Sequence, residues 1–120
     1  MKKKEIQQAY EKNREAQRMA MADDFELRLN QFKEMKAKHP DAILLFRVSD
    51  FYEAYWEDAK VCADVLNLTL TKRKKLDGKE ISLTGFKHHS LDMYLPMLVR
   101  FGKRVAICEQ LKKPKITKWR

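Results

Sequence analysis

Apolar residues recur at a helical interval near the start of the chain. Phe25, Leu29, Phe32 and Met35 step by four, three and three, which places them on one face of a helix. Residues 1–38 contain no Gly or Pro and are rich in good helix formers, so the pattern predicts a helix running up to His39-Pro40-Asp41, where the proline restricts the residue before it. Ahead of Asp23 the stripe thins to Ile6, Tyr10 and scattered alanines and methionines. Residues 1–22 therefore predict a mostly solvated or frayed helical extension, with Asp23 or Asp24 a candidate cap for the helix that follows.

Beyond Pro40 the period changes. AILLFRV (residues 42–48) is a short apolar run that reads as a buried strand, and SDFYEA (49–54) is expected to continue it in extended form. Ala59, Cys62, Ala63 and Leu66 then fall on one helical face. Glu57 and Asp58 sit in the first turn of that helix, where they suit its dipole, and Asn67 closes it. LTLTKR (68–73) alternates like a strand, KKLDGK turns with Asp77-Gly78 at its tip, and EISLT (80–84) returns. Ser90 is the expected N-cap of a helix carrying Leu91, Tyr94, Leu95 and Leu98, with a kink or irregular turn at Pro96 and Gly102 as its C′ residue. RVAICEQL (104–111) is a final strand. The predicted order is α-β-α-β-β-α-β, a small mixed-sheet α/β domain with flanking helices plus an N-terminal helical extension.

Charge adds a partner class. The chain has 120 residues and a formal net charge of +9. Residues 1–38 are nearly balanced, with ten Lys or Arg against seven Asp or Glu. The excess sits at Lys72-Arg73-Lys74-Lys75 with Lys79, and in the C-terminal part through Arg120. Two basic patches on an otherwise balanced domain suit phosphate contacts and point to nucleic acid, the competing reading being solvated turn and tail lysines. No apolar run approaches the roughly 20 residues of a membrane span, and MKKKEIQQAYEKNREAQ has no signal-peptide core, so no membrane partner and a cytoplasmic location are expected. Cys62 and Cys108 lie in apolar contexts and read as buried, reduced thiols.

Enzyme chemistry finds little support. Gly78, Gly85 and Gly102 lie far apart, so there is no phosphate-cradling loop, and no nucleophile–base signature is present. His39, His88 and His89 have no metal-ligand spacing with the cysteines. The acidic pairs Asp50/Glu53 and Glu57/Asp58 are more simply surface and helix-start acids than nuclease ligands. No catalytic residue, metal or cofactor is expected. The stretch SDFYEAY is the unusual one, with three aromatics and two acids in a basic chain. In an extended segment Phe51 and Glu53 share one face and Tyr52 takes the other, as a core aromatic. Phe51 is then either an exposed aromatic beside a carboxylate or one more core residue beside a surface acid. In the first case it suits a wedge that unstacks a weakened base step, with Glu53 bonding the base edge that has lost its partner.

The stretches KAKHPDAILLFRVSDFYEAYWEDAKVCADVLNLTLTKR and TGFKHHSLDMYLPMLVRFGKRVAICEQL closely resemble the N-terminal mismatch-recognition domain of the MutS family of DNA mismatch-repair proteins. The resemblance runs from about Leu29 to Pro114. It implies that Phe51 stacks on a mispaired base from the minor groove of a kinked duplex, that Glu53 hydrogen-bonds that base, and that Lys72 and Arg73 lie beside the DNA. The mixed α/β fold it implies agrees with the pattern above. The chain also departs from the family. Ser49 stands where Gly is usual, and Gly85-Phe86-Lys87-His88-His89 replaces Gly-x-Pro-Tyr-His. Neither the family's ATPase nor its dimerisation domains are expected here.

The domain plan is an extension over 1–28, a MutS N-terminal-like domain over 29–114 and a basic tail over 115–120. The expected function is a non-catalytic module binding double-stranded DNA, mispaired, bulged or bent, through Phe51 and Glu53, with Lys72, Arg73, Lys74 and Lys75 on phosphates. The alternative is a protein-interaction or regulatory module, docking through its N-terminal helix and keeping the fold without mismatch reading.

Overall fold

Three of the four residues in the first apolar stripe, Phe25, Leu29 and Phe32, are fully buried, and Met35 packs against them. The computed structural model describes residues 24–109 together with Arg14. In chain order the elements are α1 (24–38), β1 (Ala42–Val48), β2 (Phe51–Tyr55), α2 (Trp56–Leu66), β3 (Thr71–Lys74), β4 (Glu80–Lys87), α3 (Leu91–Arg100) and β5 (Arg104–Glu109). Asp24 lies inside α1, while Asp23, most of the N-terminal extension and the 115–120 tail fall outside the described residues. α1 crosses the 28/29 boundary drawn from sequence.

The five strands form one mixed sheet in the order β3-β4-β2-β1-β5, with β1 and β5 parallel and the other pairs antiparallel. Helices cover both faces. α1 lies on one, where Phe25, Leu29 and Phe32 meet Leu44, Phe46, Tyr55 and Ile81. α2 and α3 lie on the other, where Ala59, Cys62, Leu66 and Leu98 meet Ile43, Leu45, Tyr52 and Phe86. With both faces covered, β1 is a continuous apolar run rather than an alternating one.

The element order corrects the sequence expectation at one place. SDFYEAY does not prolong β1. Ser49 and Asp50 form a tight turn, and Phe51–Tyr55 returns antiparallel as β2, pairing Val48 with Phe51 and Phe46 with Glu53. Ser49 takes a positive φ of 53° in this turn, a conformation that Gly or Asn adopts more readily than Ser. Smaller corrections follow. β3 starts at Thr71 rather than Leu68, and β4 runs on to Lys87. Ser90 makes no side-chain capping bond, because a one-turn 3₁₀ segment (His88–Ser90) leads into α3. The helix runs through Pro96 without a break, on an exposed side where a freed carbonyl can take water. The C-terminal signals work as read. Asn67 adopts the left-handed conformation, and Gly102 at φ 91° lets its own N–H reach the Val99 carbonyl and the Lys103 N–H reach that of Leu98.

Asp58 departs from its expected role. It is buried at the start of α2, and its carboxylate accepts from Lys36 Nζ at 2.9 and 3.0 Å and from the Leu44 backbone N–H at 3.0 Å. Lys36 also donates to the Ala42 carbonyl. This strut ties α1, β1 and α2 together.

Cys62 and Cys108 are free and buried. Burial, reinforced by the Asp58 charge, pushes the Cys62 thiol up to about 12 from an ordinary 9.0. The unfolded chain ionises this thiol first, so the stability it contributes is complete below pH 9 and is lost as pH rises toward about 12. Unfolding free energy should therefore fall with pH in that window, more gently in Cys62→Ala, as urea titrations at pH 8 to 11 would measure. Thiol reagents should label neither cysteine until the chain unfolds.

Candidate nucleic-acid interface

The site begins with the β1–β2 turn, which is held from both sides. Arg47 Nε donates to the Ser49 carbonyl at 2.7 Å, and the His88 N–H donates to the Asp50 carbonyl at 2.7 Å. This fixes where β2 starts and so where Phe51 stands. Phe51 is 43% exposed, although every other aromatic on β2 is buried. Tyr52 points the opposite way, packs on Phe86 and lies under the Arg47 guanidinium. The two-face reading of the motif therefore holds although its backbone path differs.

Glu53 follows Phe51 on the same face and is half-buried. Its Oε1 accepts from the Tyr55 hydroxyl at 2.6 Å. Arg28, on α1, donates from Nε to the Tyr55 oxygen at 3.4 Å and lies 3.9 Å from Glu53 Oε1. Burial and the adjacent Glu53 raise the Tyr55 phenol well above its ordinary range, so it remains a donor. Oε2 takes part in neither contact. The carboxylate is thus aimed by Tyr55 and Arg28, neither of which any motif or spacing singles out.

Gly85 and Lys87 are the other two residues that sequence reasoning missed. In the β2–β4 ladder Glu53 lies opposite Gly85, and Phe51 opposite Lys87. Paired residues share a face, so Phe51, Glu53, Gly85 and Lys87 form one exposed corner of the sheet. A Cβ on Gly85 would stand 2.8 Å from the Tyr52 carbonyl oxygen and 3.3 Å from Glu53 Cγ, so this position admits only glycine without a backbone shift. The missing side chain leaves a notch beside Glu53 where another backbone or a base can approach closely.

The basic set at 72–75 does not join this corner. Its strand, β3, pairs with Glu80–Leu83 of β4, whereas Phe51 pairs with Lys87. That separation is about 20 Å along the strand. The four side chains also diverge. Arg73 faces the α1 side and lies over the Phe25 ring at 4.0 Å, while Lys72 and Lys74 are exposed on the opposite face, the one Ser82 shares. Lys75 is half-buried in the turn and paired with Asp77 at 3.7 Å. A duplex touching both regions would cross about six phosphates of one strand between them.

Among the described residues no three His, Cys, Asp or Glu side chains gather closely enough to hold a metal, and no helix is long and apolar enough to cross a membrane.

Comparison with known proteins gives a consistent result. The family model for MutS domain I matches residues 28–120. The chain is 59% identical over 90 residues to the DNA mismatch repair protein MutS of Bacteroides thetaiotaomicron, covering 75% of this chain and 10% of that protein. It is 58% identical over 100 residues to the MutS of Phocaeicola vulgatus, covering 82% and 12%, and 54% identical over 90 residues to that of Flavobacterium johnsoniae, covering 75% and 10%. The chain spans about a tenth of the length of the curated relatives it matches.

Proposed function

Because this chain belongs to the MutS domain I family, we propose that it is a DNA-binding module without catalysis of its own, which distinguishes mispaired, bulged or readily bent duplexes from regular ones. The observation that carries this reading is the exposed Phe51 ring, set at a braced turn beside a carboxylate that is aimed along the same face. A protruding apolar ring gains by burial, and on a duplex it finds that burial by entering a base stack. The cost of opening that stack, about a few kcal/mol, is smallest where pairing is already defective. Glu53 Oε2 then accepts a hydrogen bond from a base N–H that has lost its partner.

Lys72 and Lys74 are exposed about 20 Å from Phe51 along β4 and on the opposite face of the sheet, so they supply phosphate contacts only to a duplex that bends round the β3 edge. Arg73 and Lys75 are engaged within the protein and contribute mainly to the local field. A single small module of this kind binds with modest affinity and steep salt dependence. The alternative, a protein-docking role for the N-terminal helix, rests on residues outside the described part of the chain.

The test is binding to matched, G·T-mismatched and one-base-bulged duplexes at two salt concentrations, beside Phe51→Ala. Aromatic stacking on a base is worth about 1–3 kcal/mol, so the substitution should cut affinity for the defective duplexes about 5- to 150-fold and leave matched binding nearly unchanged. Equal binding of all three duplexes by the unmodified protein would remove the reading.

A further inference from the structure

Lys87 projects from the same face as Phe51 and directly opposite it in the β2–β4 ladder. Directly opposed residues have Cβ atoms about 4.5–5.5 Å apart, which puts the lysine stem within reach of the phenyl ring and leaves its long side chain free to extend past it. Lys87 is exposed, and no hydrogen bond or ion pair ties its ammonium to another described residue. The other cations close to this corner are spoken for. Arg47 is held by the Ser49 carbonyl and Tyr52, and Arg28 by Tyr55 and Glu53. The resemblance implies a proline at this position, where this chain has Lys87.

We propose that Lys87 is a phosphate-binding residue of the Phe51 corner, engaging the backbone of the strand whose base stacks on Phe51. The inference rests on the DNA-binding reading above. Without a cation here the corner would present only a ring and the acid Glu53, which phosphates repel; Lys87 offsets that repulsion where the ring must enter. A competing role exists. β3 pairs only with Glu80–Leu83, so the outer edge of β4 at Gly85–Lys87 has no strand partner among the described residues. A lysine on such an edge also discourages pairing with other chains. The two roles make different predictions.

The experiment is a salt titration of binding to a one-base-bulged and a matched duplex by the unmodified protein, Lys87→Gln, Lys87→Arg, Phe51→Ala and the Phe51→Ala/Lys87→Gln double variant. Circular dichroism and sedimentation would verify fold and monomer state. Loss of one phosphate contact should flatten the slope of log K against log salt by about 0.9 on the bulged duplex. Lys87→Arg should restore it, and the Lys87→Gln effect should shrink in the Phe51→Ala background, because the lysine reaches its phosphate only once the ring is inserted. An unchanged slope in Lys87→Gln, with bulge preference still dependent on Phe51, would overturn the inference and leave the DNA reading intact. Self-association of Lys87→Gln at unchanged slope would do the same and assign the edge role. If the unmodified protein shows no bulge preference, the Phe51 reading fails; a slope that still flattens on both duplexes would keep Lys87 as a phosphate contact without the coupling to Phe51.

Discussion

Replacing Asp58 with alanine is expected to destabilise the domain by about 3–5 kcal/mol. Asp58 is 5% exposed and its carboxylate accepts three hydrogen bonds of 2.9–3.0 Å, two from the Lys36 ammonium and one from the Leu44 amide. Its removal leaves the lysine with only the Ala42 carbonyl and strands a buried backbone N–H in the middle of an apolar strand. A buried donor without a partner costs about 1–3 kcal/mol by itself, and a charge stripped of its partner more. Asp58→Asn keeps an acceptor for the amide and should lose about half as much. Lys36→Met added to Asp58→Ala should recover part of the loss, because the stranded charge is then gone. Urea unfolding at neutral pH measures all three. A loss below about 1 kcal/mol for Asp58→Ala would mean that water replaces the carboxylate and that the strut is not structural.

The second large effect is in the core beneath α1. Phe32→Ala should cost about 3–5 kcal/mol. The Phe32 ring is buried and meets Tyr55 edge-on, with centroids 5.1 Å apart, and Trp56 at 6.0 Å. It also lines a mostly apolar cleft of about 430 Å³ between α1 and the start of α2, so the vacated space would join an existing opening. Solvent entry there would sit next to Tyr55, whose hydroxyl holds Glu53. Met93→Ala, on the exposed side of α3, should stay within about 0.5 kcal/mol and serves as the control in the same urea series. If the two variants unfold at similar denaturant concentrations, α1 is not packed as described.

Much of this architecture was legible because the local signals agreed with the global packing. The 25-29-32-35 stripe named the face of α1 that is buried, Asp77-Gly78 marked the β3–β4 turn, and Asn67 and Gly102 marked helix ends. The strand that carries the motif was misplaced for a local reason. Ser49 at φ 53° performs a glycine's task without a glycine's signature. Trp56 likewise holds φ 54° at the junction from β2 to α2, a bulky residue in a region that few side chains tolerate. No spacing rule flags either.

Within the candidate site, alternation alone placed Phe51 and Glu53 on one face, which a one-turn error in backbone path leaves unchanged, but it left open whether Phe51 is exposed or part of the core. Arg28, Gly85 and Lys87 were not readable, because each matters only through its partner across the fold. Arg28 lies on a helix 25 positions ahead of Glu53, and the two β4 residues acquire meaning only from the register. The basic run 72–75 shows the reverse. It looks like one patch in sequence, and strand alternation divides it between two faces.

The parallel pairing of β1 with β5 sets the order in which this domain can assemble. The β1–β2 and β3–β4 pairings are local and can form as soon as their residues exist. The partner of Ala42 is Arg104, so one side of β1 stays open until nearly the whole described chain is available. During synthesis the apolar run AILLF waits with a bare edge, the kind of surface that pairs with whatever strand it meets. Closure of this long loop should therefore be the slow step in folding. Substitutions in β5 would then be felt in how much protein reaches the native state before they are felt in how well that state binds.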